Sequence, residues 1–367
     1  MKLFVTILGG FLLCLPFITS GQKACLEGSC VPWSECKSLT ELMKKAKRQN
    51  KYTVAEKKFK KLLCDYNLRE DRAYFCCADK EEDKNKNYYN SLKNHRNRDL
   101  FGPEKVACGN YNYNPGSYNS NFNNASLFEI SWSAVIKYNG KIISSGTLIN
   151  SRYVLTNARY AKYLANGMRN VEIVLGDYDL SKYRDCVTFK NGRTECSTAK
   201  SVGVVGVYPH PYFNEKDLTN NIALIRLNEE IESTVNIEPI CLPFNEEVPL
   251  LPIEYDVYGH GISLRSGSES NITLRNTVKF MDNYECALEY KKGNQKIKID
   301  DNVVCVKPKK LPPVCVTDDG GALSQTVGVQ YQVGVSSFAD GVCSLKLPFV
   351  FTRIDHYLKW ILDTVRK

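Results

Sequence analysis

The C-terminal two thirds of this chain predicts an all-β barrel or sandwich closed by one helix. The N-terminal part predicts a small module stapled by disulfides. From about Phe128 onward, short apolar stretches recur at close spacing with turn residues between them. Asn139-Gly140 separates two such stretches, a strong signal for a two-residue hairpin turn. Six cysteines fall between Cys25 and Cys77, a density that suits bridges rather than an apolar core.

Residues 1–21 predict a signal peptide. Lys2 is the basic start, Leu3–Phe17 the apolar core, and Thr19-Ser20-Gly21 the small-residue cleavage region. The apolar run is too short to span a bilayer comfortably, and no other run reaches about 18 residues. A secreted protein without a membrane anchor is expected. The module that follows holds Cys25, Cys30, Cys36, Cys64 and the adjacent Cys76-Cys77. Cysteine count alone leaves about fifteen connectivities open. Leu39, Leu42, Met43 and Ala46, then Ala55, Phe59, Leu62 and Leu63, recur at helical spacing and predict one or two short helices.

Residues 78 to about 103 are polar and charged and read as a linker with too little apolar surface to fold. Gly109 to Ser126 is rich in Asn, Tyr, Ser and Gly and reads as a loose strap. Strands are predicted over Ser133–Tyr138, Lys141–Ile149, Val171–Leu175, Val202–Val207, Ile222–Leu227, Tyr255–Tyr258, Thr273–Met281, Tyr331–Ser337 and Phe349–Ile354. Asp355–Val365 closes the chain as a helix, with Leu358, Ile361, Leu362 and Val365 on one face.

Of 15 cysteines, Cys14 lies in the predicted leader, and the remaining even number predicts full pairing. The spacing lacks paired Cys-x-x-Cys units and His is scarce, so no zinc or other metal centre is expected. Asn124-Ala-Ser126 and Asn271-Ile-Thr273 are glycosylation acceptors. The net charge of +9 is concentrated between Lys37 and Lys61, where ten Lys/Arg face Glu41 and Glu56. Aromatics are sparse there, which argues against nucleic acid and for a solvated helical face, or a basic face for an acidic protein or a microbial surface.

Fixed points in the C-terminal part resemble the trypsin-like serine proteases, in the correct order. Ser131-Trp132-Ser133-Ala134 resembles the first core strand. Gly146-Thr147-Leu148-Ile149 and Val154-Leu155-Thr156-Asn157-Ala158 resemble the approach to the catalytic histidine, and Asn220–Leu227 the strand that carries the aspartate. Pro239-Ile240-Cys241-Leu242-Pro243, Tyr258-Gly259-His260-Gly261 and Tyr357-Leu358-Lys359-Trp360-Ile361 fit as well. Cys315-Val316-Thr317-Asp318-Asp319-Gly320-Gly321 resembles the nucleophile loop. The six-cysteine pattern ending in Cys76-Cys77 resembles the clip domain of arthropod serine proteases. The resemblance implies a chymotrypsin-like pair of six-stranded antiparallel β-barrels with a C-terminal helix, over 128–367. A clip domain over 22–78 and a linker and strap over 79–127 precede it.

The resemblance also implies disulfides. They are Cys25–Cys76, Cys30–Cys64, Cys36–Cys77, Cys108–Cys241, Cys186–Cys196, Cys286–Cys305 and Cys315–Cys343. The bridge that normally flanks the histidine is absent, with Ser144 and Tyr160 in its place. Asp177 and Asp179 fall in the loop where some relatives hold calcium, and ordinary surface acids are the preferred reading.

The family's chemistry needs a Ser nucleophile, a His base and an Asp that orients it. Arg159, Asn221 and Asp319 stand at the positions of the His, Asp and Ser. Arginine stays protonated and cannot serve as a general base. Thr317 takes the glycine of the oxyanion loop, Pro313 the pocket floor, and Ala339 and Phe349 the pocket walls. Phe349 is expected to project into the pocket and fill it. Asp318 remains as the partner of a new N-terminus, yet no Lys or Arg lies between Lys105 and Lys137 for activation cleavage. The linker around Lys93, Arg96 and Arg98 is the better cutting site. The expectation is a secreted, non-catalytic homologue in haemolymph, acting as cofactor, scaffold or decoy. Its partners would be clip-domain proteases or zymogens such as prophenoloxidase. The alternative is recognition of microbial surfaces by the basic clip face.

Overall fold

The computed structural model describes residues 5–8, 11–14, 25, 29–32, 36, 39, 62–67, 72–77, 87–101, 107–110, 124–188, 192–244, 254–260, 262–263, 270–293, 297–308, 314–315, 319–338 and 347–367. The chain divides into two compact units, Met1–Ser91 and Leu92–Lys367.

In the first unit, Arg72–Cys77 is the central strand of a three-stranded antiparallel sheet, between Ser29–Pro32 and Leu63–Asn67. Its apolar centre is small: Cys36, Leu39, Phe75 and Cys77, with Val31, Leu62 and Leu63 against them. Disulfides Cys25–Cys76, Cys30–Cys64 and Cys36–Cys77 supply the cohesion that so small a core cannot. Leu39 and Leu62 are helical, but Leu63 opens a strand and pairs with Phe75. Cross-strand pairing overrides the helical spacing there. The rest of that apolar series, Leu42, Met43, Ala46, Ala55 and Phe59, and the lysine-rich stretch lie outside the described residues. Within the predicted leader, Val5–Leu8 pairs antiparallel with Phe11–Cys14.

The second unit contains two closed antiparallel barrels of six strands each. The first runs, around the barrel, Lys200–Pro209, Ala223–Leu227, Tyr153–Thr156, Lys141–Asn150, Ser133–Tyr138 and Val171–Leu175. The second runs Glu254–Gly259, Leu274–Met281, Val303–Pro308, Phe349–Arg353, Val329–Phe338 and Ala322–Val327. Ile136, Leu148, Val154, Ile173 and Ile225 fill the first barrel, and Tyr255, Val278, Val304, Leu323 and Phe351 the second. Each such fully buried side chain contributes roughly 1.5–3 kcal/mol of apolar burial. At the predicted hairpin, Asn139 and Gly140 both have positive φ, 51° and 74°, as the turn requires. Disulfide Cys108–Cys241 ties the strap to this unit, Cys286–Cys305 ties a helix to a strand of the second barrel, and Cys186–Cys196 cross-links the two strands of a separate hairpin. Gly109, beside Cys108, has φ +64°, and a Cβ there would lie 2.3 Å from the Gln330 carbonyl, so the strap's start needs glycine.

The structure differs from the sequence expectation in several places. Strands at Tyr153–Thr156, Val303–Pro308 and Ala322–Val327 and the hairpin Arg184–Thr188/Thr194–Thr198 are additional, as are helices Ala158–Leu164 and Asn283–Lys292. The closing helix starts at Leu358, after a 3-10 turn over Ile354–Tyr357. The supposed linker is partly folded: residues 87–93 are helical, and Leu92, Asn97 and Phe101 are buried. Asn97 donates to the Leu362 and Val365 carbonyls at 2.8 and 2.9 Å. Phe101 and Arg98 both pack on the Phe244 ring. Few apolar residues suffice because they dock on an existing surface rather than build their own core.

Candidate functional site

Arg159 sits in the first turn of helix Ala158–Leu164. Asn157 caps that helix, its side chain accepting the Tyr160 N–H at 3.2 Å. Asn221 precedes strand Ala223–Leu227 and is fully buried. Its Oδ1 accepts the Arg159 backbone N–H at 3.0 Å, while its Nδ2 donates to the Ser337 Oγ at 2.9 Å. The amide therefore bridges the two barrels and leaves the Arg159 guanidinium exposed at the surface.

Asp319 is held from the other side. Its carbonyl accepts the Ser145 N–H and the Ser144 hydroxyl, both at 2.8 Å. Its carboxylate accepts a hydrogen bond from the Tyr160 hydroxyl. Burial, the Asp319 charge and that hydrogen bond together raise the Tyr160 pKa, only partly opposed by Arg159. Gly320 follows with φ +86°, and a Cβ there would lie 2.3 Å from both the Ser145 carbonyl and the Thr156 hydroxyl. That glycine lets the loop press directly onto the first barrel. Arg159, Asn221 and Asp319 are thus gathered at one place, linked through Arg159 N–H and Tyr160.

The double-barrel geometry is that of a known family. A model of the trypsin family matches residues 121–361. The chain belongs to the trypsin family. A second family model, described as the regulatory CLIP domain of proteinases, matches residues 24–77. "Serine protease grass" of Drosophila melanogaster is 26% identical, over 92% of this chain and 89% of that protein. "Melanization protease 1" of the same organism is 32% identical, over 65% of this chain and 63% of that protein. The crystal structure titled as the Grass clip serine protease of the Toll pathway superposes with a TM-score of 0.62. It does so at 24% identity over 92% of this chain and 94% of that one, a likeness of fold.

Within this trypsin-family unit the histidines are engaged elsewhere. His95 meets Asp363 at 3.0 Å, and His260 meets the Thr273 hydroxyl at 3.3 Å. His356 meets Asn302 at 2.8 Å. His210 lies among the rings of Tyr212, Tyr357 and Trp360, where burial lowers its pKa. Phe349, expected to project into a pocket, belongs instead to the second barrel's core with Phe351 and Val306. Strand alternation turns both phenylalanines to the barrel interior. Thr317, Asp318, Pro313, Ala339 and Cys343 lie outside the described residues, so the oxyanion loop, pocket floor and Cys315–Cys343 bond are not placed.

In the loop where some relatives hold calcium, Asp179 accepts from the Ser181 hydroxyl and Lys182, at 2.5 and 2.6 Å. One oxygen of the neighbouring Asp185 accepts the Tyr178 and Asp179 N–H groups, each at 3.2 Å. Asp177 Oδ1 and Asp185 Oδ1 are buried without a hydrogen-bond partner. Of the glycosylation acceptors, Asn271 is exposed and Asn124 is half-buried, bridged to Leu274.

The sequence marks Tyr160 and Ser144 only as residues standing where the resemblance would put a disulfide. The structure shows both gripping Asp319. Their pairing across 175 positions for Ser144 and Asp319 leaves no local signal in the sequence.

Proposed function

We propose that this chain is a secreted clip-domain serine protease homologue without catalytic activity. It acts as a cofactor, scaffold or decoy in an extracellular proteolytic cascade of innate immunity, of the melanization or Toll type. Its partners are clip-domain proteases or their zymogen substrates, prophenoloxidase among them. The relatives "Melanization protease 1" and "Spaetzle-processing enzyme" point to such a cascade. The observation that carries the loss of catalysis is the Arg159–Asn221–Asp319 arrangement. Arginine at the base position remains charged, so no group there takes a proton from a nucleophile. The Asp319 carboxylate is capped by Tyr160 rather than activated. Removing triad members from such a site costs orders of magnitude in rate.

The test is a fluorophosphonate probe of serine hydrolases together with a peptide-substrate panel. No labelling and no turnover are expected, before or after limited proteolysis. Labelling of the purified protein, or turnover lost on Asp319→Ala, would overturn the reading. The triple variant Arg159→His, Asn221→Asp, Asp319→Ser is expected to recover little activity, because Thr317 still occupies the oxyanion loop.

A further inference from the structure

From Ile130 to Val171 the chain contains no aspartate or glutamate, and six lysines or arginines. The fold brings most of these onto one face. The hairpin tip at Asn139 joins the 3-10 turn Met168–Asn170 through its N–H to the Asn170 carbonyl, 3.0 Å away. The Tyr138 and Tyr163 rings meet edge to face at 5.3 Å. Gly167 lies so near Tyr138 that a Cβ would come within 2.6 Å of the hydroxyl. Helix Ala158–Leu164 buries Ala158, Ala161 and Leu164 and turns Arg159, Lys162 and Tyr163 outward. Those three follow the i, i+3, i+4 spacing of one helix face.

Tyr163 offers this face an apolar ring that is 62% exposed. Lys141 at the hairpin tip, Arg159 on the helix and Arg169 in the 3-10 turn are exposed cations. Among the described residues none of these three forms an ion pair. Of the carboxylates that border the face, Glu215 holds Lys162 at 3.2 Å and Asp319 takes the Tyr160 hydroxyl, while Glu172 stands opposite Lys137 in the strand register.

We propose that this face, formed by the hairpin tip, the helix and the 3-10 turn, docks an acidic polypeptide segment that carries an apolar side chain. Charge complementarity selects the acid, since three cations lack an ion-pair partner among the described residues and two are arginines, which grip carboxylates bidentately. The exposed Tyr163 ring selects a polypeptide, because an anionic glycan or lipid headgroup brings no apolar side chain to cover it. This deepens the proposed function by giving the protease-like unit a partner class. It does not depend on the missing catalysis, which the hydrolase probe reads separately.

The test uses the full chain and a fluorescein-labelled peptide of glutamates interspersed with leucine, read by fluorescence anisotropy at low and physiological salt. Controls replace glutamate by glutamine or leucine by serine. Binding is expected to weaken with salt and with either control. Lys141→Ala with Arg169→Ala should weaken it several-fold, and adding Arg159→Ala should bring the loss to roughly tenfold, as three exposed pairs allow. Tyr163→Ser should remove the preference for leucine while leaving the salt dependence. Thermal melts confirm that each variant is folded. Unchanged binding in the triple variant overturns the proposal. So does binding lost only on neutralising Lys57, Lys58, Lys60 and Lys61, or a protein that binds anionic vesicles or teichoic acid but not the peptide.

Discussion

Asp177 has one carboxylate oxygen buried without a hydrogen-bond partner. Burial first, then the charge of Asp185, push its pKa from 3.8 to about 6, with Lys137 pulling the other way. A pKa raised on folding means the folded state holds the proton more tightly. The stabilisation is therefore complete below pH 3.8 and is lost as pH rises through about 6. Asp177→Asn is expected to stabilise the protein at pH 7 by on the order of 1 kcal/mol, after allowing for screening of a half-exposed group. Urea unfolding should show that gain fading toward pH 4. The sequence places Asp177, Asp179 and Asp185 close together but does not say which of them is satisfied. Ser181 and Lys182 satisfy Asp179, and two backbone N–H groups reach one oxygen of Asp185, whose other oxygen is left buried like that of Asp177; the charge of Asp185 adds to burial in raising the Asp177 pKa.

The segment around Asn97 shows the same effect for a whole element. Its polar, charged composition predicts a chain that cannot fold by itself. It folds because Asn97 meets the last carbonyls of helix Leu358–Thr364, which lack partners within the helix. Asn97→Ala is expected to cost about 1–2 kcal/mol. Hydrogen exchange should speed up across residues 95–101 and the closing helix, and trypsin should cut faster at Arg96 and Arg98. Unchanged exchange there would show the docking to be incidental. Strands with clean alternation or an Asn-Gly turn beside them, such as Ser133–Tyr138, were legible in sequence. Val303–Pro308 was not, because its first four residues are all buried and so show no period-two alternation, even though Asp300-Asp301-Asn302 marks a turn before it.

Across the whole molecule, disulfide topology separates the two units. Three described bridges close within Cys25–Cys77 and three lie from Cys108 onward. No described bridge joins the groups. A cut between residues 78 and 107 is therefore expected to free the clip unit without reductant. Non-reducing electrophoresis after limited trypsin digestion would show two separate fragments; a single unshifted band after complete cleavage would refute it.

The sequence by itself determined the two-part organisation, through cysteine spacing, and the β-rich character of the C-terminal part, through its short strands; motifs that resemble the trypsin-like proteases, read in order along the chain, carried the double barrel. Only the tertiary structure decided how Arg159, Asn221 and Asp319 are held. Asn221 takes the Arg159 backbone rather than its guanidinium, and Ser144 and Tyr160 both hold Asp319. The physical reason is that these contacts join residues far apart in the chain, and hydrogen-bond direction and burial exist only once the barrels have closed.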